Sequence, residues 1–191
     1  LAYIAMDYLK GAPLSEYCKP DRLLTVGEAL EVGARVAEAL EYAHSHNVVH
    51  RDVKPANIIY DRDTGGGKVT DFGVACLTDS SKTKTGTVLG SPSYMSPEQL
   101  AGTKVDGRSD LFSLGVTVFQ LLTGKLPFTG DSFATLMYRI ANDKHPDIRT
   151  LRKDLPACTS RIINKALQKQ ASRRYQSGEK FAEALRRCGG E

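Results

Sequence analysis

The segment 50–57, which reads H-R-D-V-K-P-A-N, carries side chains that could together transfer a phosphoryl group. Asp52 offers a carboxylate that can accept the proton of a hydroxyl group. Asn57, together with the aspartate Asp71 that opens a later D-F-G, offers hard oxygen ligands of the kind that Mg²⁺ takes alongside phosphate oxygens. Lys54 can neutralise the charge of a phosphoryl group in transfer. The spacing of these residues therefore predicts a phosphoryl-transfer site.

Three motifs in a fixed order carry a family resemblance. H-R-D-x-K-x-x-N is followed by D-F-G and then by S-P-E at 96–98, where the protein kinase signature has A-P-E. The chain thus resembles the eukaryotic-like, or Hanks-type, serine/threonine protein kinases, most closely their bacterial branch. This resemblance implies an enzyme that uses ATP and Mg²⁺ to phosphorylate serine and threonine hydroxyls of protein substrates. It implies Asp52, Lys54 and Asn57 as catalytic residues, with Asp52 as the base, and Asn57 and Asp71 as Mg²⁺ ligands.

The resemblance covers nearly the whole chain, as a partial kinase domain over 1–191. Its parts are the last small-lobe strand and hinge (1–9) and the C-terminal lobe (10–191), with the catalytic loop at 50–57 and the activation segment at 71–98. The Gly-rich loop, strand lysine and helix glutamate of the signature would lie upstream of Leu1. Glycines 65–67 lack the spacing of such a loop and predict a hairpin turn. We therefore expect a large lobe without its small lobe, inactive by itself.

The resemblance also implies where ATP is bound. The adenine would meet the hinge backbone at Asp7 and Leu9, with Met6 as gatekeeper and Ile59 as the floor of the pocket. For Met6 and Ile59, ordinary core packing is the alternative interpretation, and in a kinase it applies in part. A lobe without its partner would expose apolar surface around Tyr3, Met6 and Phe72, so we expect self-association in solution.

A regulatory site follows from the arginine before the catalytic aspartate. In kinases of this type, Arg51 would bind a phosphate added to the activation segment, a charge-assisted contact that orders the loop. Thr83 and Thr85 match the T-x-T acceptor pair of the bacterial relatives, although an unmodified polar loop is the alternative. Ser91 takes the position of a hydroxyl that bridges the catalytic aspartate and lysine and so positions the substrate.

Other motif residues are expected to be structural. The resemblance implies that His50 packs against Phe72 of D-F-G, and that Glu98 pairs with Arg174. Asp110 would accept hydrogen bonds from the backbone of the catalytic loop. The three remaining histidines have no partner at ligand spacing and are predicted to lie at the surface: His44, His46 and His145.

The elements that must position these residues are mostly helices. A T-x-x-E capping box at Thr25 and Glu28 precedes apolar residues at helical spacing, which predicts a long helix leading to the catalytic loop. An almost wholly apolar helix is predicted at 109–124, stopped by a glycine, and amphipathic helices at 132–142, 157–168 and 177–187. Short strands are predicted at 48–49, 58–60 and 68–70. The predicted fold class is mainly α, a kinase-like C-terminal lobe with small β-hairpins at the catalytic loop.

Composition excludes several other classes. The 191 residues are 41% hydrophobic and 25% charged, enough for one core, and the net charge of +4 is not accompanied by a nucleic-acid-binding motif. No apolar run approaches the roughly 20 residues that span a bilayer, although the parent protein could still carry a membrane anchor. Four scattered cysteines without C-x-x-C predict neither a zinc site nor a disulfide, so we expect reduced thiols in the cytoplasm.

Two alternatives to a protein kinase remain. A pseudokinase or docking module would keep the fold and signal by binding, but it usually lacks one of the residues Asp52, Asn57 and Asp71. A small-molecule kinase of related fold would lack the activation segment that ends in G-S-P-S-Y-M-S-P-E. Both are less consistent with the motifs than a protein kinase.

Overall fold

The computed structural model describes residues 8–72 and 92–190, and this part of the chain is mainly helical, as expected. Its α-helices are α1 (Val26–Ser45), α2 (Pro97–Leu100), α3 (Gly107–Thr123), α4 (Phe133–Asn142), α5 (Ile148–Leu151), α6 (Ala157–Ala166) and α7 (Gly178–Gly189). Short 3₁₀ turns lie at Leu14–Cys18, Pro55–Asn57, Pro92–Tyr94 and Ala171–Arg173. Within the described ranges, no helix has the length and apolarity needed to cross a membrane.

Helix α1 leads directly to the catalytic loop. The predicted capping box is confirmed: Glu28 N donates to Thr25 Oγ1 at 3.2 Å, and Thr25 N donates to the Glu28 carboxylate at 2.9 Å. The apolar face of the helix is buried, as its spacing predicts. After the helix ends at Ser45, Asn47 adopts a left-handed backbone with φ of 59° and turns the chain towards His50.

Helix α3 is the centre of the core and is buried on almost every side. It begins at an Asp106 cap, and it ends at Gly124, whose φ of 70° is the left-handed conformation that glycine adopts easily. A Cβ at Gly115 would lie 2.8 Å from the Cβ of Ala166, so α3 and α6 approach each other closely at this point. The helix predicted at 109–124 is confirmed.

Helix α7 packs along α1 and closes the helical layer. Gly178 N donates to Glu41 Oε2 at 2.6 Å, which caps the first turn of α7 from the side. A Cβ on Gly178 would lie only 2.1 Å from the Ala37 carbonyl oxygen, so the close approach requires glycine. Near the other end, Arg186 forms ion pairs with glutamates of α1. The first turn and the end of α7 are therefore both attached to the helix that precedes the catalytic loop.

A three-stranded antiparallel sheet supports the other side of the catalytic loop. In the described residues its order is β1 (Ala12–Pro13), β2 (Ile58–Asp61) and β3 (Gly66–Val69). Ile58 pairs with Val69 across β2 and β3, so the residues just before β2 and just after β3 lie side by side. The predicted hairpin is confirmed, and β1 is a strand that the sequence did not indicate.

Two local predictions near the hairpin need correction. Residues 48–49 form no strand, because Val48 N donates back to the Ala43 carbonyl and completes the end of α1. The hairpin turn occupies 62–65, with Gly65 at φ of 62°, whereas Gly66 and Gly67 already belong to β3.

The prediction of unpaired cysteines is wrong for one pair. Cys158 of α6 and Cys188 of α7 form a disulfide, with Cα atoms 5.7 Å apart. They are separated by 30 residues in sequence and meet only because the two helices pack together. Cys18 is buried as a free thiol, and burial raises its pKa to about 12.

One histidine prediction also fails in the core. His145 is buried beside Phe119 and Phe128, and its Nδ1 donates to the Pro146 carbonyl oxygen at 2.8 Å. Burial lowers the pKa of this imidazole. His46 is exposed, as predicted.

Candidate active site

The backbone that leads into the catalytic loop is held by a buried carboxylate of α3. Asp110 is 1% exposed, and its two oxygens accept hydrogen bonds from His50 N at 2.9 Å and Arg51 N at 2.7 Å. Arg51 has a left-handed backbone, with φ of 68°, which is uncommon for a residue other than glycine. The central helix therefore fixes the strained peptide that comes immediately before Asp52.

His44 reinforces this anchor, which corrects its prediction as a surface residue. Its Nε2 lies 2.8 Å from Asp110 Oδ2, and its side chain is only 14% exposed. A Cβ on Gly107 would lie 2.5 Å from the imidazole Nδ1, so the glycine leaves room for the ring. The carboxylate of Asp110 thus connects α1, α3 and the catalytic loop.

The three side chains predicted to be catalytic lie together. Lys54 Nζ donates to Asp52 Oδ2 at 2.7 Å, and Asn57 Nδ2 donates to the same oxygen and to the Asp52 carbonyl, each at 2.9 Å. The Asp52 side chain remains 32% exposed, so a substrate can reach it. Among the described residues, none donates a hydrogen bond to Asp52 Oδ1, which is therefore the carboxylate oxygen available to a hydroxyl group.

The D-F-G aspartate is placed beside this cluster by the hairpin. Thr70 N donates to the Asn57 carbonyl oxygen at 2.9 Å, which joins the end of β3 to the start of β2. Asp71 follows directly, exposed and with φ of 60°, and one of its carboxylate oxygens accepts from Thr70 Oγ1 at 3.2 Å. Asn57 and Asp71 therefore come from neighbouring strand ends at the same edge of the site.

His50 has both ring nitrogens engaged. Its Nε2 donates to the Thr70 carbonyl oxygen at 2.8 Å, and its Nδ1 accepts from Asp52 N at 3.2 Å. The ring of Phe72 lies 4.6 Å from the ring of His50, measured between centroids. A fully buried imidazole with these contacts supports the loop and cannot approach a substrate.

The nucleotide-binding predictions fall only partly within the described residues. Ile59 lies on β2 with its side chain on the face opposite the buried Ile58 and Tyr60, and Leu9 is half-buried. The other predicted residues, Met6 and Asp7, lie outside the described ranges. So do the predicted phosphorylation sites Thr83 and Thr85 and the substrate-positioning Ser91.

The segment after residue 91 is attached to the helical core by an ion pair. Arg174 donates to both carboxylate oxygens of Glu98, at 2.6 and 2.7 Å, and its side chain is completely buried. Ser109 Oγ donates to Glu98 Oε1 at 2.6 Å. Burial alone would raise the pKa of Glu98, but the hydrogen bonds from Arg174 and Ser109 outweigh it and hold the pKa below the usual value.

The comparison with protein families decides the assignment. The family model for the protein kinase domain matches residues 1–185 of this chain. The chain belongs to the protein kinase family. The expected resemblance to Hanks-type kinases of the bacterial branch is confirmed by the relatives described next.

Several bacterial serine/threonine kinases are similar to this kinase chain. It is 39% identical to the probable serine/threonine-protein kinase CPE1738 of Clostridium perfringens over 94% of the chain, and 38% identical to PrkC of Bacillus subtilis over 93%. It is 39% identical to the serine/threonine-protein kinase PknB of Mycobacterium tuberculosis over 100% of the chain. The chain spans only 26%, 27% and 31% of the lengths of these three relatives.

A solved structure agrees with the kinase assignment. The crystal structure of Rad53 1-466 in complex with AMP-PNP matches this chain with a TM-score of 0.77 at 25% identity. The match covers 93% of this chain and 44% of the Rad53 chain. The C-terminal-lobe fold predicted from the motifs is therefore confirmed for the kinase chain.

Sequence reasoning missed two residues that support the catalytic loop of this kinase, one through Asp110 and one by direct contact. One is His44, described above, which carries no signal in the sequence except its place near the end of α1. The other is Gln99, whose Nε2 donates to the Arg51 carbonyl oxygen at 2.8 Å. Ser96 and Gln99 have the S-x-x-Q spacing of a capping box, so the start of α2 could have been predicted, but not the contact with Arg51.

Proposed function

We propose that this chain is the catalytic lobe of a protein kinase that transfers the γ-phosphoryl group of ATP to serine and threonine hydroxyls of proteins. The observation that carries the proposal is the cluster around Asp52. Lys54 and Asn57 both donate to Asp52 Oδ2, which orients the carboxylate, and no described residue donates to Oδ1. A hydroxyl group bound at Oδ1 would be oriented for in-line attack, and its proton would pass to Asp52.

The donor set fits Mg²⁺ and a nucleotide. Because the Asn57 amide nitrogen donates to Asp52, the amide oxygen is the atom that would bind a cation. Asp71 adds an exposed carboxylate at the neighbouring strand end. Two hard oxygen ligands of this kind suit a cation that completes its shell with water and phosphate oxygens. When bound, Mg-ATP supplies the phosphoryl group and the charge neutralisation that its transfer requires.

The position of Lys54 supports a role in charge neutralisation. Its side chain is 19% exposed, and its ammonium group lies 2.7 Å from Asp52 Oδ2, an oxygen of the same carboxylate whose Oδ1 would receive the substrate hydroxyl. From this position it can approach a phosphoryl group moving towards that hydroxyl, in the way the catalytic-loop cation acts in phosphoryl transfer. Protein substrates and a cytoplasmic site of action are part of the same proposal.

The test is ³²P transfer from Mg-ATP by the full-length protein, with its small-lobe elements, onto itself and onto a generic protein substrate. We expect label on serine and threonine, and a loss of about 10²- to 10⁴-fold in rate for Asp52→Asn. Asp131→Asn is the matched control, since this exposed aspartate lies before α4 and outside the catalytic loop. A folded wild-type protein that transfers no label would favour the pseudokinase alternative instead.

We further propose that Arg51 binds a phosphate on Thr83 or Thr85 and so regulates the enzyme. Arg51 and Lys104 line the same cleft beside α2, which places two cations near the activation segment. Phosphopeptide mapping should find phosphate on Thr83 or Thr85, and replacing both by alanine should lower the rate. Equal activity of the double variant and the wild type would argue against this regulation.

A further inference from the structure

The residue before the proposed catalytic base has a backbone that needs external support. Arg51 adopts φ of 68°, a conformation that costs a side-chain-bearing residue of order 1–3 kcal/mol and persists only where surrounding contacts impose it. Two such contacts come from different helices. Asp110 of α3 accepts from Arg51 N at 2.7 Å, and Gln99 of α2 donates to the Arg51 carbonyl oxygen at 2.8 Å.

The amide of Gln99 is fixed at both ends. Its Oε1 accepts from Ser96 N at 3.0 Å and from Ser96 Oγ at 3.1 Å, while its Nε2 donates to Arg51. Ser96 is fully buried, so its N–H requires this acceptor. A flipped amide would place NH₂ against the Ser96 N–H and an oxygen against the Arg51 carbonyl, so only one orientation satisfies both neighbours.

We propose that Gln99 is a positioning residue for the catalytic loop. It acts through the Arg51 peptide on Asp52 and links the loop geometry to the formation of the capping box at the start of α2. This inference rests on the proposed function for the role of Asp52, but the contact itself is independent of activity. If Gln99 only capped α2, a substitution that keeps its oxygen acceptor but removes its nitrogen donor would leave the catalytic loop unchanged.

Three substitutions separate these roles. Gln99→Glu keeps oxygen acceptors for Ser96 but replaces the donor to Arg51 with an oxygen. Gln99→Met removes both functions without adding a charge, and if the glutamate variant fails to fold, unchanged exchange in Gln99→Met would overturn the inference. Gln168→Glu is the matched control, because Gln168 also donates to a backbone carbonyl, that of Asn164, but lies at the end of α6.

The first measurement is hydrogen exchange of the Arg51 and Asp52 amides in the full-length protein. Losing one hydrogen bond should speed local opening about three- to tenfold in Gln99→Glu and Gln99→Met, with α3 unchanged. Gln168→Glu should exchange like the wild type at these amides. Unchanged exchange in a folded Gln99→Glu variant would overturn the inference, whatever the result for Gln99→Met.

The second measurement is steady-state kinetics with Mg-ATP. The Gln99 variants should lose about three- to tenfold in kcat while KM for ATP stays within about twofold, because a misplaced base slows chemistry and leaves nucleotide contacts intact. Faster exchange with an unchanged kcat would also overturn the positioning role. A wild-type protein without any transfer activity would refute the proposed function, and the exchange result would then still decide whether Gln99 holds the loop.

Discussion

Replacing Arg174 with methionine should remove one of the largest single contributions to the stability of this lobe. The guanidinium is completely buried and donates two hydrogen bonds to Glu98. It donates three more to backbone carbonyl oxygens, those of Gln168, Lys169 and Arg108. Methionine retains an apolar stem in the space over the Phe112 ring but supplies no donor.

The magnitude follows from what the substitution leaves behind. Glu98 is only 14% exposed, so Arg174→Met strands a buried carboxylate and three carbonyls without their donor. Removing one partner of a buried ion pair typically lowers the free energy of unfolding by about 3–5 kcal/mol. The total free energy of unfolding of a domain is only about 5–15 kcal/mol, so a decrease of this size should be easy to measure.

Arg186→Met is the matched control. Arg186 also binds two glutamates, Glu31 and Glu38, but its side chain is 41% exposed. Exposed ion pairs contribute about 0–1 kcal/mol, because water screens the charges and the long side chains lose freedom. The same change from arginine to methionine should therefore lower the free energy of unfolding several times less at this position.

Urea denaturation followed by circular dichroism, from about pH 7 down to about pH 3, tests both the size and the cause. Because the pKa of Glu98 is held below its usual value, the folded wild type is favoured while Glu98 is ionised. That contribution is complete above the unfolded pKa, near 4.5, and is lost as the pH falls through the folded pKa. The difference between wild type and Arg174→Met should therefore shrink towards the acid end.

Two results would refute this reasoning. One is that Arg174→Met lowers the free energy of unfolding no more than Arg186→Met does. This would mean that burial does not increase the contribution of the ion pair to stability. The other is a difference between wild type and Arg174→Met that stays constant as the pH falls, which would mean that the Glu98 carboxylate is not the group left unpaired. Adding Glu98→Gln to Arg174→Met should cost less than the sum of the two single changes, since the same contact is lost only once.

Three further predictions concern the helical layer, and the same denaturation assay checks each. Cys188→Ser should lower the free energy of unfolding by about 3–4 kcal/mol for a loop of this length, and only the wild type should respond to reductant. Gly178→Ala, whose Cβ meets the Ala37 carbonyl, should cost about 1–3 kcal/mol, whereas Gly27→Ala, whose Cβ meets nothing within 4 Å, should be neutral or slightly stabilising. Thr25→Ala should cost about 1 kcal/mol through its lost cap, and Thr25→Ser should restore most of it.

The helices could be predicted from the sequence because their signals are local. The predicted capping box at Thr25 and the predicted stop at Gly124 each act within one turn, and both are present in the structure. Ser132 and Ser177 cap α4 and α7 in the same local way. The spacing of apolar residues then decides which face is buried. Helix boundaries followed to within about two residues, the usual uncertainty of such ends.

Contacts that depend on how helices pack could not be predicted in the same way. The disulfide between Cys158 and Cys188 requires α6 and α7 to be neighbours, and no short spacing indicates it. His44 looked like a surface residue because its position near the end of α1 says nothing about Asp110, which lies 66 residues further along the chain. The contact of Asp110 with the catalytic loop could be predicted only from the family resemblance, because kinases of this type share the same helix packing.

Helix α2 connects the stability of the lobe to its proposed chemistry. Glu98 and Gln99 are consecutive residues of α2, one bound to the buried Arg174 and the other to the peptide before Asp52. Releasing Glu98 should loosen α2 and hence the Gln99 contact, even though Arg174 touches no residue of the catalytic cluster. Arg174→Met should therefore speed hydrogen exchange of the Asp52 amide by more than the loss of global stability alone would predict. Arg186→Met should show no such excess. If Arg174→Met and Arg186→Met changed the exchange of the Asp52 amide equally, the ion pair between Glu98 and Arg174 would not be coupled to the catalytic loop.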